Sequence, residues 1–263
     1  MSVRSILFTL GICFSIAVYP SYGQADLLSE CYSENATNPI ARAYILYKKR
    51  VWREIYLDEK QNRPCFIRGK EISKVIIDGV KKGVITPYKN DQLVEVMPMS
   101  EFLKNLLIAG EEDPSKATDH EFFPSEISTL SLVENVIFNK ITSKKEYDIE
   151  SIQLIIPGSK NPPTHLDHPI ATFKYKDLLA YFSTLPFEAV CWYNMSNTAE
   201  TLTWMDAFSL RLFGSKIVKI ENLDDANLDE LYQNINSDGE GVDLSQKIAT
   251  KIDLEYEYFL SDY

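Results

Sequence analysis

Three histidines are the residues of this chain best suited to acid–base or metal chemistry: His120, His165 and His168. Two of them lie in the sequence THLDHP at residues 164–169, with one aspartate between them. Neutral imidazole and carboxylate groups bind zinc, so this pair is a candidate loop metal site for a metal-dependent hydrolase. The spacing of three differs from the spacing of four, with an intervening glutamate, in helical zinc proteases. The alternative interpretation is an exposed polar loop between prolines.

Other catalytic and cofactor motifs are missing from the sequence. It contains no G-x-S-x-G nucleophile elbow, no Walker loop and no G-x-G-x-x-G. Residues 234–239 imitate the first half of an EF-hand loop, but Ser245 stands where a bidentate glutamate is needed. We therefore expect a surface turn there, and we predict no catalytic residue, cofactor or resident metal.

The composition favours protein–protein association. The 263 residues carry a net charge of −11, which disfavours binding to nucleic-acid phosphates. They include 15 Tyr, 13 Phe and 3 Trp, and protein interfaces are enriched in such residues. Together with the missing catalytic motifs, this predicts an assembly protein, not an enzyme.

The first residues predict export. Arg4 supplies a positive charge, residues 6–18 are apolar and uncharged, and Pro20 ends the apolar run before a small-residue cleavage site. This order is typical of a secretory signal peptide at residues 1–23. We therefore expect a mature protein outside the cytoplasm. No other apolar run approaches the length of a membrane span, so we expect no direct membrane insertion.

The cysteines leave their pairing open. Cys13 follows Ile12, whereas a lipidated cysteine normally follows a small residue, so we expect no lipid anchor. Beyond the signal peptide, Cys31, Cys65 and Cys191 are an odd number. The sequence is compatible with three arrangements: one disulfide bridge and one free thiol, three free thiols, or a disulfide bridge to a partner chain.

One basic cluster stands out in the acidic chain. Apolar residues between positions 40 and 55 recur at spacings of three and four, which predicts an amphipathic helix. Basic residues cover its other faces. With Trp52 and the nearby Cys65, they form a candidate interface: Lys49, Arg50, Trp52, Arg53 and Cys65. The cluster is either a solvated helix face or a docking patch for an acidic neighbour, such as residues 224–240 of another copy.

The remaining pattern predicts an α+β fold with a β-hairpin or small antiparallel sheet. Helices are expected at residues 70–82, 100–110, 177–184, 201–213 and 244–260. Strands are expected at 132–141, 149–156, 170–173, 187–193 and 217–220, with the first two forming the hairpin around a turn at 142–147. We predict a flexible arm at 24–39 and one globular region at 40–263, with a division near the Pro-containing segment 111–125 left open.

Three segments carry a family resemblance: VWREIYLDEKQNRP at 51–64, DGVKKGVITPY at 78–88 and WMDAFSLRLFGSKI at 204–217. In this order they resemble the GldN/PorN gliding motility family of the Bacteroidetes type IX secretion system. The resemblance extends from about Ile45 to the last predicted helix. Two features depart from the family pattern. Cys65 stands where an apolar or aromatic residue is expected, and the loop 158–169 is specific to this branch.

The resemblance implies a role that the composition does not. Family members are periplasmic and non-catalytic, and they are required for secretion and gliding. They form a ring with the outer-membrane lipoprotein GldK/PorK and contact the motor protein GldM/PorM. By resemblance we therefore expect a ring-forming homo-oligomer that a lipoprotein partner associates with the outer membrane.

Overall fold

The computed structural model of the chain describes residues 31–108, 121–161, 164–194, 197, 199, 201–223 and 225–228. Within them the strands are β1 (Ile45–Tyr56), β2 (Phe66–Ile67), β3 (Lys70–Glu71), β4 (Thr129–Asn139), β5 (Lys144–Ile156), β6 (His168–Lys174) and β7 (Lys216–Ile220). The helices are α1 (Ile72–Lys81), α2 (Met99–Asn105), α3 (Tyr175–Phe182), α4 (Phe187–Val190) and α5 (Trp204–Ser209). The α+β prediction is confirmed. No helix in these ranges combines the length and the apolar character that a bilayer crossing requires.

Five strands form an antiparallel sheet in the order β6–β5–β4–β1–β7, and β2 and β3 form a separate two-stranded sheet. The predicted hairpin is confirmed as β4 and β5. Its turn occupies residues 140–143 and so begins earlier than predicted. The side-chain oxygen of Asn139 accepts the backbone N–H of Ile141 at 3.0 Å. Ser143 adopts a left-handed φ of 52°, which completes the reversal.

The helix predicted over residues 40–55 is wrong, because Ile45–Tyr56 is a strand. β1 pairs with β4 along its whole length and with β7 over part of it. Tyr47, Val51 and Ile55 are four residues apart, and this spacing puts side chains on one face of a strand as well as of a helix. The β-branched and aromatic residues favour a strand. Pairing partners far along the chain then select that conformation.

One face of the large sheet carries the main hydrophobic core. Leu132, Ile152 and Phe173 lie opposite one another on β4, β5 and β6, and all three are fully buried. They form one cluster with buried residues of α1, α3 and α5. Each such side chain contributes about 1.5–3 kcal/mol of burial free energy. The core therefore fixes the helices on this face.

Helix α1 confirms the prediction over residues 70–82. Ile72, Ile76 and Val80 are buried on one side, as their spacing requires. Gly83 has a φ of 73° directly after the helix. Glycine adopts this left-handed conformation without steric cost, so it ends the helix where expected.

Three further predictions are confirmed with shifted ends: the strands at 170–173 and 217–220, and the helix at 177–184, correspond to β6, β7 and α3. The strand predicted at 187–193 is wrong, because residues Phe187–Val190 form the short helix α4 after Pro186. Its short apolar run fits either conformation, and local periodicity does not separate them.

Two other helices differ from their predicted limits. α5 ends at Ser209, well short of residue 213, and Arg211 beyond it has a left-handed φ of 56°. α2 begins at Met99, with Pro98 in the N-cap position, and ends at Asn105. A proline there has the fixed φ that suits a helix start.

The described part of the predicted arm contacts the sheet. The Tyr32 hydroxyl donates to the buried carboxylate of Asp148 on β5, and the Thr37 backbone N–H donates to the same carboxylate at 2.9 Å. Burial and the neighbouring carboxylate raise the pKa of Tyr32. The signal peptide, residues 24–30 and 111–120, and the predicted helix at 244–260 lie outside the described residues.

Candidate interaction surfaces

The histidine pair forms no metal site with other described residues. The Nε2 atom of His168, the first residue of β6, lies 2.9 Å from the carbonyl oxygen of Asn105, which accepts the ring N–H. His165 lies exposed in the preceding loop. In the described part of the chain, no three His, Cys, Asp or Glu side chains are grouped to hold a metal ion. The hydrolase alternative is therefore not supported. His120 and residues 234–239 lie outside the described ranges.

The basic cluster of the sequence is divided between the two faces of the sheet. Successive side chains of a strand point to opposite faces, so β1 places Arg50 and Trp52 on one face and Lys49 and Arg53 on the other. A helix would have kept them on adjoining surfaces. The cluster is consequently not one continuous patch.

Arg53 is bound inside the fold by a fully buried carboxylate. Its Nε atom pairs with Glu134 on β4, whose side chain has no exposed surface. The same carboxylate accepts bonds from Arg211 at 2.6 and 3.1 Å. Two guanidinium groups thus neutralise one buried acid. This Arg–Glu–Arg cluster connects β1 and β4 to the segment after α5.

The start and end of α5 position Arg211 for this contact. Thr203 Oγ1 accepts the backbone N–H of Asp206, and the Asp206 carboxylate accepts the Thr203 N–H at 2.8 Å. These bonds form a capping box that fixes the helix start. The Thr203 hydroxyl and the Thr203 N–H both donate to the Asp206 carboxylate and hold its pKa below the usual value. The Arg211 guanidinium also lies 4.1 Å from the ring centroid of Tyr147, in a cation–π contact.

Arg50 and Trp52 fasten a loop to the opposite face. The Trp52 indole N–H donates to the Asp91 carboxylate at 2.8 Å, and Arg50 donates to the Asp91 carbonyl oxygen at 2.9 Å. Arg50 also lies 3.3 Å from the Glu150 carboxylate. The Trp52 ring is flanked by the Arg50 guanidinium at 5.1 Å and the Lys219 ammonium at 4.7 Å. The polar groups of Arg50 and Trp52 therefore bind other residues of the same fold.

Lys49 differs from its neighbours in the cluster. It is half-buried and makes no ion pair with any residue that the structure describes. Of the basic residues in the candidate interface, Lys49 is therefore the one whose charge is not bound by an acid of the described fold.

Cys65, the last candidate interface residue, is buried in the main core. Burial raises the pKa of its thiol to about 12, since the apolar surroundings disfavour the thiolate. A thiol in this position is inaccessible to a partner chain. Cys31 and Cys191 are also free thiols but are only half-buried. A bridge to a partner would involve one of those two.

We expect alkylation to separate the thiols of the mature chain. At pH 8, iodoacetamide should modify Cys31 and Cys191 in the native protein and Cys65 only after unfolding, because thiolate and access are both needed. Mass spectrometry of intact protein measures the number of labels. A Cys65→Ala variant should lose only the slow site, and three labels at one rate would contradict the assignment.

The buried thiol of Cys65 also makes the stability of the fold depend on pH. Its contribution to the free energy of unfolding should be complete below pH 9.0 and should fall as the pH rises towards about 12.

A second basic surface is formed by residues that sequence analysis did not connect. The hairpin of β2 and β3 and the turn before it border a cleft of about 910 Å³. Its apolar floor consists of Pro64, Phe66, Ile67 and Tyr193, and its charged rim consists of Asp58, Arg63, Arg68, Lys70 and Lys160. We name these nine residues the basic cleft. Tyr193 reaches it from a distant part of the chain and donates its backbone N–H to the Pro64 carbonyl.

The hairpin turn presents this rim outward. Gly69 has a φ of 82°, which permits a tight turn, and its N–H donates to the Glu71 carboxylate at 2.9 Å. Lys160 pairs with Asp58 at 2.7 Å, so these two charges cancel. Arg63, Arg68 and Lys70 are exposed, and none of them forms an ion pair with another described residue. The cleft therefore carries three unneutralised cations.

Comparison with known proteins supports the sequence resemblance. Residues 40–260 match the family model described as gliding motility associated protein GldN. This range contains every candidate interface residue and the whole basic cleft. No curated protein sequence matches the chain.

Proposed function

The chain belongs to the GldN family and is a component of the gliding motility machinery, and from this premise we propose that it is a non-catalytic periplasmic subunit of the type IX secretion system. The match over residues 40–260 is the observation that carries the proposal. The signal peptide predicted at residues 1–23 supports export to that compartment. The subunit acts by binding other proteins.

We propose its mode of assembly on the same basis. Copies associate in a ring, the outer-membrane lipoprotein GldK/PorK attaches the ring to the membrane, and the motor protein GldM/PorM contacts it. A closed ring requires two different complementary faces on each copy. Lys49 is a candidate for one of these contacts because its charge is unpaired in the described fold. The other side chains of the cluster stabilise the subunit itself.

The proposal is tested by crosslinking and fractionation. A tagged chain is crosslinked in the host envelope, purified and analysed by mass spectrometry. We expect enrichment of the GldK-type lipoprotein and the GldM-type motor over a tagged, exported protein of similar size. In a strain that lacks the lipoprotein, the chain should move from the membrane pellet to the osmotic-shock fluid. Recovery of neither partner, or a cytoplasmic location, would contradict the proposal.

A further inference from the structure

The basic cleft combines the charge and the apolar surface of a peptide-binding site. In a chain with a net charge of −11, Arg63, Arg68 and Lys70 surround an apolar floor without an acidic partner in the described fold. Clustered cations of this kind attract carboxylates, and Phe66 and Tyr193 provide contact area for aromatic side chains. A ligand that combines acidic and aromatic residues would satisfy both parts of the surface.

The end of the given sequence has this combination of residues. Residues 253–263 read DLEYEYFLSDY, with four carboxylates and no lysine or arginine. Leucine, tyrosine and phenylalanine side chains alternate with the acids over much of this stretch. We name residues 253–263 the acidic–aromatic segment. Its charge is opposite to that of the rim, and its aromatic rings match the floor.

The segment is able to reach the cleft of its own molecule. Leu228 belongs to a small hydrophobic cluster with Val51 on β1. Asp58, at the cleft, is seven residues beyond Val51 and so at most about 25 Å from it. About 24 residues connect Leu228 to the segment, and even a continuous helix of that length spans about 36 Å. The connection between Leu228 and the acidic–aromatic segment is therefore long enough for the segment to reach the basic cleft.

Tethering favours this occupant over a second copy. A connection of this length within one chain gives an effective local concentration on the order of millimolar. A segment of another molecule competes only at its bulk concentration, which is far lower in dilute solution. We propose that the acidic–aromatic segment binds the basic cleft of the same chain, with its carboxylates at Arg68 and Lys70 and its aromatic rings on the apolar floor. This inference stands independently of the ring and of its partners.

Binding of a labelled peptide to the full mature chain tests the inference. The peptide has the sequence of residues 253–263, and fluorescence anisotropy measures its affinity. The unaltered chain should bind it weakly, because its own segment occupies the cleft. A chain with Glu255→Lys and Glu257→Lys should release that segment and bind the peptide at least about tenfold more tightly. Adding Arg68→Glu and Lys70→Glu to this chain should abolish the gain.

Two controls complete the experiment. A peptide that carries lysine at both glutamate positions should bind neither the unaltered chain nor the Glu255→Lys, Glu257→Lys chain, because both keep the basic rim. The melting temperature should fall by the same small amount in the Arg68→Glu, Lys70→Glu chain and in the Glu255→Lys, Glu257→Lys chain, because each pair of changes releases a segment that binds only the folded chain. Arg68 and Lys70 form no other ion pair in the described fold. Equal peptide affinity of the unaltered and Glu→Lys chains, or binding that survives reversal of the rim, would overturn the inference. Sedimentation velocity showing a dimer that the Glu→Lys changes dissociate would also overturn it, in favour of a second copy.

Discussion

Replacing Arg53 with glutamate is expected to destabilise the folded chain by at least about 3–5 kcal/mol. The change removes one of the two cations that neutralise Glu134 and puts a second carboxylate beside it. The Glu134 side chain has no exposed surface, so water cannot screen the repulsion. Urea unfolding followed by circular dichroism measures the loss, and the melting temperature should fall by roughly 10 °C.

Lys49→Glu is the matched control for this prediction. It makes the same change of charge on the same face of the same strand, but Lys49 has no ion pair with a described residue. We expect a cost of no more than about 1 kcal/mol. Equal losses in the two variants would contradict the structural role of Arg53. A folded Lys49→Glu chain is also the suitable variant for testing ring assembly, since a charge reversal at Arg53 would disturb the subunit first.

Replacing Trp204 with alanine is expected to cost about 3–5 kcal/mol. Its ring is only 1% exposed and meets Phe182 edge-on at a centroid distance of 5.5 Å. Alanine would leave a cavity between α5, α3 and the sheet. The buried indole N–H has no hydrogen-bond partner in the described structure, so the loss comes from packing.

Trp204→Phe separates packing from hydrogen bonding. Phenylalanine keeps an aromatic ring against Phe182 and removes an N–H that is already unpaired. The variant should therefore lose only about 1–2 kcal/mol. Chemical denaturation of both variants under identical conditions gives the comparison. A phenylalanine variant as unstable as the alanine variant would show that the indole N–H has a partner in solution.

Local signals were sufficient for some elements and not for others. The β4–β5 hairpin and α1 were predictable because a short-range turn and a glycine stop define their ends. The conformation of residues 40–55 was not predictable, since apolar residues four positions apart share one face in a helix and in a strand alike. Only pairing with β4 and β7, which lie far along the chain, decides between them.

The same limit applies to the candidate surfaces. The charges of Arg50 and Arg53 are evident in the sequence, but their acidic partners Glu150 and Glu134 lie on other strands. Periodicity does not reveal which acid neutralises which base. The basic cleft was missed for a related reason, because Tyr193 and Lys160 join the 63–70 hairpin only in three dimensions. The burial of Cys65 likewise could not be predicted from the sequence.

The position of β1 in the sheet has a consequence for how the chain folds. β4 and β5 are adjacent in sequence, so their hairpin closes over a short turn. The outer neighbour of β1 is β7, which begins about 160 residues after β1 ends, at Lys216. Contacts between residues so far apart form slowly. Among the described strands, the twelve-residue β1 therefore keeps one edge unpaired, and open to aggregation, until a late step of folding.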